Sequence, residues 1–172
     1  MERDELKLIL PEERYLDQIW AYRQAMLDAG STLDGTGALK KATSAEAWLE
    51  SKRQPCPPGL VPSDQYLAIR TRDDRLVGMI DFRHSLDHPV LALWGGHIGY
   101  SVHPAERRKG YATEMLRQVL EKCRAFGLDR VMVTCHEGNI GSEKTIRACG
   151  GEYENTVDTD GGRVKRFWIA LS

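Results

Sequence analysis

The chain has 172 residues, of which 41% are hydrophobic, and this length fits one compact domain. Its 24 Lys and Arg residues are balanced by 25 Asp and Glu, so the net charge of -1 leaves no surplus positive charge for a nucleic-acid backbone. No uninterrupted apolar run approaches the ~20 residues that cross a bilayer, and the charged start MERDELK is unlike a signal peptide. We therefore expect a cytoplasmic protein without a nucleic-acid or membrane partner.

The first third of the chain predicts a strand, a long helix and an irregular insert. Residues 6–10 have the pattern of a strand, and residues 12–28 carry apolar side chains at helical spacing. Residues 30–65 begin with glycines and end with prolines, and Thr43-x-x-Glu46 is a capping box for a short helix between them. We expect this insert to hold a helix on two loops above a substrate site, as a lid.

The middle of the chain predicts three more strands. Residues 66–71 and 76–82 flank a polar connection of hairpin length, and residues 91–102 form an apolar run. This third run contains three glycines, Gly95, Gly96 and Gly99. Glycine inside a strand marks a bulge or a close approach to the backbone.

The second half alternates helices and strands. An apolar helical stripe ends at Gly127, residues 130–135 form a buried strand, and a second helix covers about residues 139–149. Two strands near residues 152–158 and 164–171 follow as a hairpin. A strand, a long helix and a buried strand form a βαβ unit, so we predict an α/β (α+β) fold with one mixed sheet of six or seven strands flanked by helices.

The most informative segment is HPAERRKGYA, residues 103–112, which joins a strand to the best-patterned helix. A helix N-terminus presents unbonded N–H groups and a partial positive charge, which favour an anion. Gly110 and Ala112 leave the backbone accessible, and three cations stand beside them: Arg107, Arg108 and Lys109. The segment therefore predicts a pyrophosphate site. NAD and ATP are disfavoured because no GxGxxG or GxxxxGK[ST] motif occurs.

The run Arg107-Arg-Lys-Gly110-Tyr-Ala112 resembles the [Arg/Gln]-x-x-Gly-x-[Gly/Ala] acetyl-coenzyme A signature of the GNAT superfamily of N-acetyltransferases. Residues 95–102 look like the fourth strand of these enzymes. A later family element is matched by three residues, Asn139, Ser142 and Gly150. The resemblance implies a GNAT fold over residues 1–172, in which the fourth strand splays from the fifth and opens a slot for the pantetheine arm.

The resemblance also implies acetyl-coenzyme A as co-substrate and assigns its binding by position. The turn at the helix start would hold the pyrophosphate, and the backbone around Tyr100 and Val102 would bond the pantetheine amides. Asn139 and Ser142 would border the other side of the cofactor. The implied binding residues are Tyr100, Val102, Arg107, Arg108, Lys109, Gly110, Tyr111, Ala112, Asn139 and Ser142. We expect no metal, since the cysteines include no C-x-x-C pair.

An acceptor amine is almost fully protonated at neutral pH, so acetyl transfer needs a group that removes its proton. Related enzymes often place a glutamate near the start of the fourth strand, where this chain has His97, whose ordinary pKa suits a general base. A buried structural role for His97 stays open, and Asp81 on the neighbouring strand is the second candidate. Many family members protonate the thiolate with a tyrosine at the position of Ile146, so the proton donor is undetermined.

These features predict an enzyme, a monomer or a homodimer, that acetylates a primary amine of a small molecule or peptide by direct attack in a ternary complex. The insert would lie on the acceptor side. Two alternatives remain: a silent acyl-coenzyme A sensor of the same fold, and a subunit that only binds partners. A nucleophilic Cys135 is disfavoured, because Cys135 and His136 are strand neighbours that point to opposite faces.

Overall fold

Seven strands form a single sheet in the computed structural model, which describes residues 4–171. They are β1 (Leu6–Ile9), β2 (Ser63–Arg70), β3 (Arg75–Arg83), β4 (Ile98–Val102), β5 (Arg130–His136), β6 (Glu152–Thr159) and β7 (Gly162–Ala170). Their order across the sheet is β1-β2-β3-β4-β5-β7-β6. Strands β4 and β5 are parallel and the other neighbours are antiparallel, so the predicted mixed sheet is confirmed.

Four α-helices among residues 4–171 cover the two faces of this sheet. They are α1 (Leu16–Asp28), α2 (Ala45–Arg53), α3 (Tyr111–Phe126) and α4 (Ile140–Ala148). Helices α1 and α2 pack on one face through a buried cluster around Ile19 and Trp48. Helices α3 and α4 pack on the other face through a second cluster around Leu116 and Ile146. Within residues 4–171, no helix is both long enough and apolar enough to span a membrane.

Helix α2 starts one residue later than its predicted capping box. Ser44 is the cap in place of Thr43, since the Ser44 Oγ accepts a hydrogen bond from the Ala47 N–H at 3.0 Å. Trp48 is buried under this helix, and its Nε1 donates to the Thr36 carbonyl at 2.8 Å. The predicted insert therefore divides into a helix that belongs to the core and the loop of residues 31–37 before it.

The prediction of one strand over residues 91–102 is wrong in its first half. Leu91–Gly95 forms one turn of π-helix, and β4 begins only at Ile98. The turn starts after His88, whose carbonyl accepts a backbone hydrogen bond at 2.9 Å. Gly96 then reverses the chain with a φ of +72°, a left-handed conformation that glycine adopts freely. This conformation explains the glycine at position 96 as a turn residue.

Strands β4 and β5 separate directly after they meet. Within the described part of the chain, their one registered pair is Ile98 with Val133, and the His97 N–H donates to the Met132 carbonyl at 2.8 Å beside it. In contrast, every residue of β4 pairs with a residue of β3. The edge of β4 that faces β5 is therefore open beyond Ile98, which confirms the predicted splayed pair.

Candidate active site

The open edge of β4 lies along a cavity of about 590 Å³, a volume typical of a site for a large ligand. Four segments form its wall: the loop after α1, the end of β4, the start of α3 and the start of α4. Side chains or backbone atoms that line it include Ser31, Thr32, Asp34, Tyr100, Val102, Arg107, Arg108, Gly110, Ala112, Asn139 and Ser142.

The N-terminus of α3 presents unbonded N–H groups at one end of this cavity. Its first intrahelical bond runs from the Glu114 N–H to the Gly110 carbonyl at 3.2 Å, so the N–H groups of residues 111–113 have no acceptor within the helix. Gly110 has a φ of +81°, and a Cβ added there would meet no atom within 4 Å. A helix start with open N–H groups and free space in front is a favourable anion site.

The three cations of the preceding turn have different environments. Arg108 lines the cavity and has no ion pair or side-chain hydrogen bond within residues 4–171. Arg107 also lines it, but its Nη2 donates to the Ser31 Oγ at 2.9 Å and its Nε donates to a β4 carbonyl at 3.3 Å. Lys109 does not line the cavity, and its Nζ pairs with the carboxylate of Glu106, which does, at 3.1 Å. Arg108 is therefore the free cation at this helix start, and Arg107 ties the loop after α1 to β4.

Tyr111 contributes its backbone to the site and its ring to a buried network. Its hydroxyl donates to the Asp4 carboxylate at 2.6 Å and accepts from the Arg70 Nη1 at 3.1 Å. Arg70 is buried and also pairs with Asp73 and Glu106. The Asp73 hydrogen bond raises the pKa of Arg70 above its usual range, so the guanidinium stays charged. The network anchors the helix start to the end of β2.

The backbone groups of Tyr100 and Val102 face the open edge of β4. The His103 N–H donates to the Val77 carbonyl of β3 at 2.8 Å, and backbone groups of successive strand residues alternate between the two edges. The groups of Val102 and Tyr100 therefore point away from β3. The Arg107 Nε reaches the Val102 carbonyl on that side. An extended amide chain in the cavity thus has beside it a strand edge that, beyond Ile98, pairs with no other strand of the described residues.

A second cavity of about 130 Å³ adjoins the first. Four residues line both cavities: Asp34, Tyr100, Asn139 and Ser142. We call these four residues the junction, because molecules bound in the two cavities would meet there. The second cavity is also lined by Arg83, Trp94 and His136.

A pair of hydroxyls lies at the junction. The Tyr100 Oη is 2.6 Å from the Ser142 Oγ, and the Ser142 N–H donates to the Asn139 Oδ1 at 3.1 Å, which caps α4. Burial raises the pKa of Tyr100, so its hydroxyl keeps its proton at neutral pH. The sequence predicted all three residues for this region, and the structure adds that they bond one another.

His97 lines neither cavity. Its side chain is 5% exposed, and its Nδ1 accepts a hydrogen bond from the Met132 N–H of β5 at 2.9 Å. Burial, followed by the charge of Arg83, lowers the pKa of His97 to about 4. The imidazole therefore joins β4 to β5 in its neutral form, and we do not retain it as the proposed general base. The open alternative of a structural histidine fits this position, with a backbone N–H as its partner.

Asp81, the second candidate base, is also buried away from both cavities. Its Oδ1 accepts from the Gly99 N–H at 3.1 Å and lies 3.4 Å from the Arg83 Nη2. Burial raises the pKa of Asp81, and Arg83 opposes that shift. Asp81 therefore positions a guanidinium that lines the second cavity, and it does not reach the junction itself.

Asp34 is a junction residue that the sequence analysis missed. Its exposed carboxylate accepts a hydrogen bond from the Thr32 Oγ1 at 2.8 Å. The next residue, Gly35, has a φ of +71° and packs so closely on β4 that an added Cβ would lie 2.3 Å from the Gly99 carbonyl oxygen. The sequence carries one signal for this position, the glycine-rich loop, which indicates an unusual backbone conformation but not the strand that the loop contacts.

Neither a cysteine nucleophile nor a metal is supported by the site chemistry. Cys135 lines the second cavity, but burial raises the pKa of its thiol to about 11, so it is protonated at neutral pH. No group of three or more His, Cys, Asp or Glu residues between positions 4 and 171 is placed to hold a metal ion.

Comparison with known proteins identifies the family. The sequence matches the acetyltransferase (GNAT) domain over residues 9–152, and the chain therefore belongs to this family. The resemblance inferred from the signature at residues 107–112 is thus confirmed. No protein of curated function matches the chain in sequence.

Solved acetyltransferase structures share the fold at low sequence identity. Mycobacterium smegmatis RimJ in complex with CoA-disulfide is 20% identical with a TM-score of 0.72, over 96% of this chain and 81% of that one. The ribosomal-protein-S5-alanine acetyltransferase of Vibrio fischeri is 14% identical with a TM-score of 0.72, over 100% and 96%. Spermidine N-acetyltransferase of Vibrio cholerae in complex with CoA and spermine is 14% identical with a TM-score of 0.68, over 96% and 95%. These likenesses establish the GNAT fold. They leave the acceptor open, since the named substrates differ.

Proposed function

We propose that this protein transfers the acetyl group of acetyl-coenzyme A to the primary amine of a small molecule or peptide, by direct attack in a ternary complex. The observation that carries this proposal is a continuous path from the α3 N-terminus, along the open edge of β4, to the junction with the second cavity. One substrate enters from each cavity, so the two reacting groups meet without a covalent enzyme intermediate.

The residues along the first cavity fit acetyl-coenzyme A. The N–H groups of residues 111–113 and the free cation Arg108 would hold the pyrophosphate, with space left by Gly110. The backbone of Tyr100 and Val102 would bond the pantetheine amides. The binding of CoA by RimJ and by spermidine N-acetyltransferase, which share this fold, supports the assignment.

The junction supplies the proton chemistry in this proposal. The amine nitrogen attacks the thioester carbonyl carbon, the C–N bond forms, and the C–S bond breaks with its electron pair on sulfur. The Tyr100 hydroxyl gives its proton to the thiolate and regains one through Ser142, its partner at 2.6 Å. Many family members protonate the thiolate with a tyrosine at the position of Ile146, which is fully buried in this chain. The Tyr100–Ser142 pair would take over that role.

Release of free thiol from acetyl-coenzyme A, measured with a panel of primary amines, tests the proposal. Turnover with one class of amine supports it. Acetyl-coenzyme A at about a hundred times its Kd adds about 2.7 kcal/mol of stability to a protein that binds it, so a thermal shift measures binding separately. A shift without turnover of any amine would favour the sensor alternative, and no shift at all would favour the partner-binding subunit. NADH and ATP serve as control ligands, for which we expect no shift.

A further inference from the structure

The second cavity carries one carboxylate and one guanidinium on its wall. Among its lining residues, Asp34 is the single acidic side chain and Arg83 the single basic one, apart from the imidazole of His136. The other titratable groups on the wall are the hydroxyl of Tyr100 and the thiol of Cys135. Opposite charges in one small cavity match a ligand that carries both a cation and an anion.

Arg83 is held rigidly in this wall. Its Nη1 donates to the Gly95 carbonyl at 2.9 Å and to the Gly96 carbonyl at 3.3 Å, and its Nη2 lies 3.4 Å from the Asp81 carboxylate. Its side chain is nevertheless 22% exposed. These contacts engage Nη1 and one side of Nη2, so the Nε and the remaining Nη2 donor form the edge that is left for a ligand carboxylate. A preorganised guanidinium loses little side-chain entropy when it binds one.

Asp34 is fixed at the junction by the loop that carries it. The Gly35 backbone packs on Gly99 of β4, and the Arg107 guanidinium binds Ser31 at the start of the same loop. Its carboxylate is exposed, with the Thr32 hydroxyl as its bonded neighbour. An ammonium group drawn to Asp34 therefore lies at the junction, where the proposed reaction takes place.

The size of the second cavity limits the ligand. Its volume of about 130 Å³ is well below the roughly 300 Å³ at which sites for drug-sized ligands begin. A small acceptor therefore suits it, whereas most of an aminoglycoside or a long polyamine would extend out of it. Such polycations also need several carboxylates, whereas this wall offers Asp34 alone.

We propose that the second cavity binds a free α-amino acid with an uncharged side chain, its ammonium at Asp34 and its carboxylate at Arg83. The inference rests on the proposed function and names its acceptor class. The Trp94 ring, which is 38% exposed, offers the side chain an apolar contact, and the largely buried Ile98 and Val164 also line the cavity. The loop of residues 31–37 then covers the acceptor side, while the core helix α2 does not act as a lid.

The reaction balances at these groups. The ammonium loses one proton to the Asp34 carboxylate, which passes it to solvent, and the free amine forms the C–N bond. After the attack the nitrogen loses a second proton to solvent. The departing thiolate takes one proton from the Tyr100–Ser142 pair, which regains a proton from solvent. The products are the N-acetylamino acid, coenzyme A as its thiol, and one proton. The product amide is neutral, so Asp34 no longer attracts it.

Matched acceptors test the proposal on the full-length protein. We expect kcat/KM for L-methionine to exceed that for L-methioninamide by about 10- to 100-fold, because the amide lacks the carboxylate that Arg83 binds. A methionyl dipeptide and spermidine complete the panel, and both are expected to be poor acceptors. Equal use of L-methionine and its amide, or a preference for the dipeptide or spermidine, would overturn the amino-acid assignment and leave the proposed acetyltransferase function intact. No turnover with any amine would instead contradict that function.

Two variants assign the contacts. Arg83→Lys keeps the charge but loses the planar fork, so the ratio of kcat/KM between L-methionine and its amide is expected to fall about tenfold. A variant that fails to fold would lose kcat/KM for L-methionine and for its amide to the same extent and would keep their ratio. A lowered ratio therefore identifies loss of the contact with the carboxylate.

Asp34→Asn is expected to lower kcat/KM for every amine about 10- to 100-fold with an unchanged acetyl-coenzyme A thermal shift. Asp160→Asn, at an exposed turn, is the charge-matched control. An unchanged acceptor ratio in folded Arg83→Lys, or Asp34→Asn activity equal to that of this control, would overturn the assignment.

Discussion

The hydroxyls of Tyr100 and Ser142 lie 2.6 Å apart across the gap that opens between β4 and β5. Tyr100 belongs to β4 and Ser142 to the first turn of α4, so the bond connects the two sides of the cleft. Both residues line both cavities. The splayed sheet thus creates the slot and, at the same place, puts a protonated hydroxyl pair beside it.

Tyr100→Phe removes this hydroxyl and keeps the ring that packs against the core. We expect kcat to fall about 100-fold, the size usual for loss of a general acid, with the KM for acetyl-coenzyme A little changed because the backbone contacts remain. Initial rates of thiol release at saturating substrates measure both constants.

Tyr66→Phe is the matched control for that variant, since Tyr66 lines neither cavity. Ser142→Ala keeps the Tyr100 hydroxyl and is expected to cost only a few-fold in kcat, because solvent can return the proton. A wild-type kcat in Tyr100→Phe would rule out the hydroxyl as proton donor.

We expect His97 to make the stability of the protein depend on pH. Burial lowers its pKa from 6.5 to about 4, so between these values the unfolded chain binds a proton that the folded chain does not. The stabilisation is complete above pH 6.5 and is lost progressively as the pH falls toward 4, by up to about 3 kcal/mol. Urea unfolding at pH 7 and pH 4.5 measures this loss.

His97→Asn isolates this contribution from that of other titrating groups. The asparagine amide oxygen can still accept a bond from the Met132 N–H but does not titrate. We expect the variant to lose less stability on acidification than the wild type, and its pH–rate profile above pH 6 to keep its shape. Equal losses in the two proteins would contradict the assigned pKa, and a changed profile would restore His97 as a catalytic candidate.

The parts of the site that follow from local pattern were predictable from sequence. The strand-to-helix turn at residues 103–112 and the start of α4 near Asn139 depend on neighbours within one turn, so residue types and spacing sufficed to place them. The parallel β4–β5 pair was predictable for the same reason, because two apolar strands joined by a buried helix pair in parallel through a right-handed crossover.

The parts that depend on contacts between distant segments were not predictable. Asp34 reaches the junction because Gly35 packs on Gly99, and no periodic pattern records that contact. His97 occupied a plausible position for a base, but its partner is the Met132 N–H on another strand. Likewise, the three adjacent cations are equivalent in the sequence, whereas in the structure Arg107 binds Ser31, which is 76 residues away.

Gly110→Asp tests the anion site at the α3 N-terminus. A carboxylate there faces the N–H groups of residues 111–113 and repels a pyrophosphate, so we expect the acetyl-coenzyme A thermal shift to disappear. Gly110→Asn is the matched control, because asparagine and aspartate tolerate the φ of +81° similarly and differ in charge. Thermal shifts of equal size in the two variants would refute binding of the pyrophosphate at this helix start.

Gly35→Ala tests whether the loop that carries Asp34 is held by its contact with β4. The new Cβ would lie 2.3 Å from the Gly99 carbonyl oxygen, so the loop has to move and carry Asp34 with it. Gly30→Ala is the matched control, because its φ of +65° is similar and its Cβ would meet nothing within 4 Å. We expect the control to lose about 1 kcal/mol of stability from backbone strain alone, with an unchanged KM for the amine. Gly35→Ala is expected to lose more stability and to raise that KM about tenfold, because the carboxylate no longer meets the ammonium. Equal effects in the two variants, measured by urea unfolding and steady-state kinetics, would mean that the contact with Gly99 does not position Asp34.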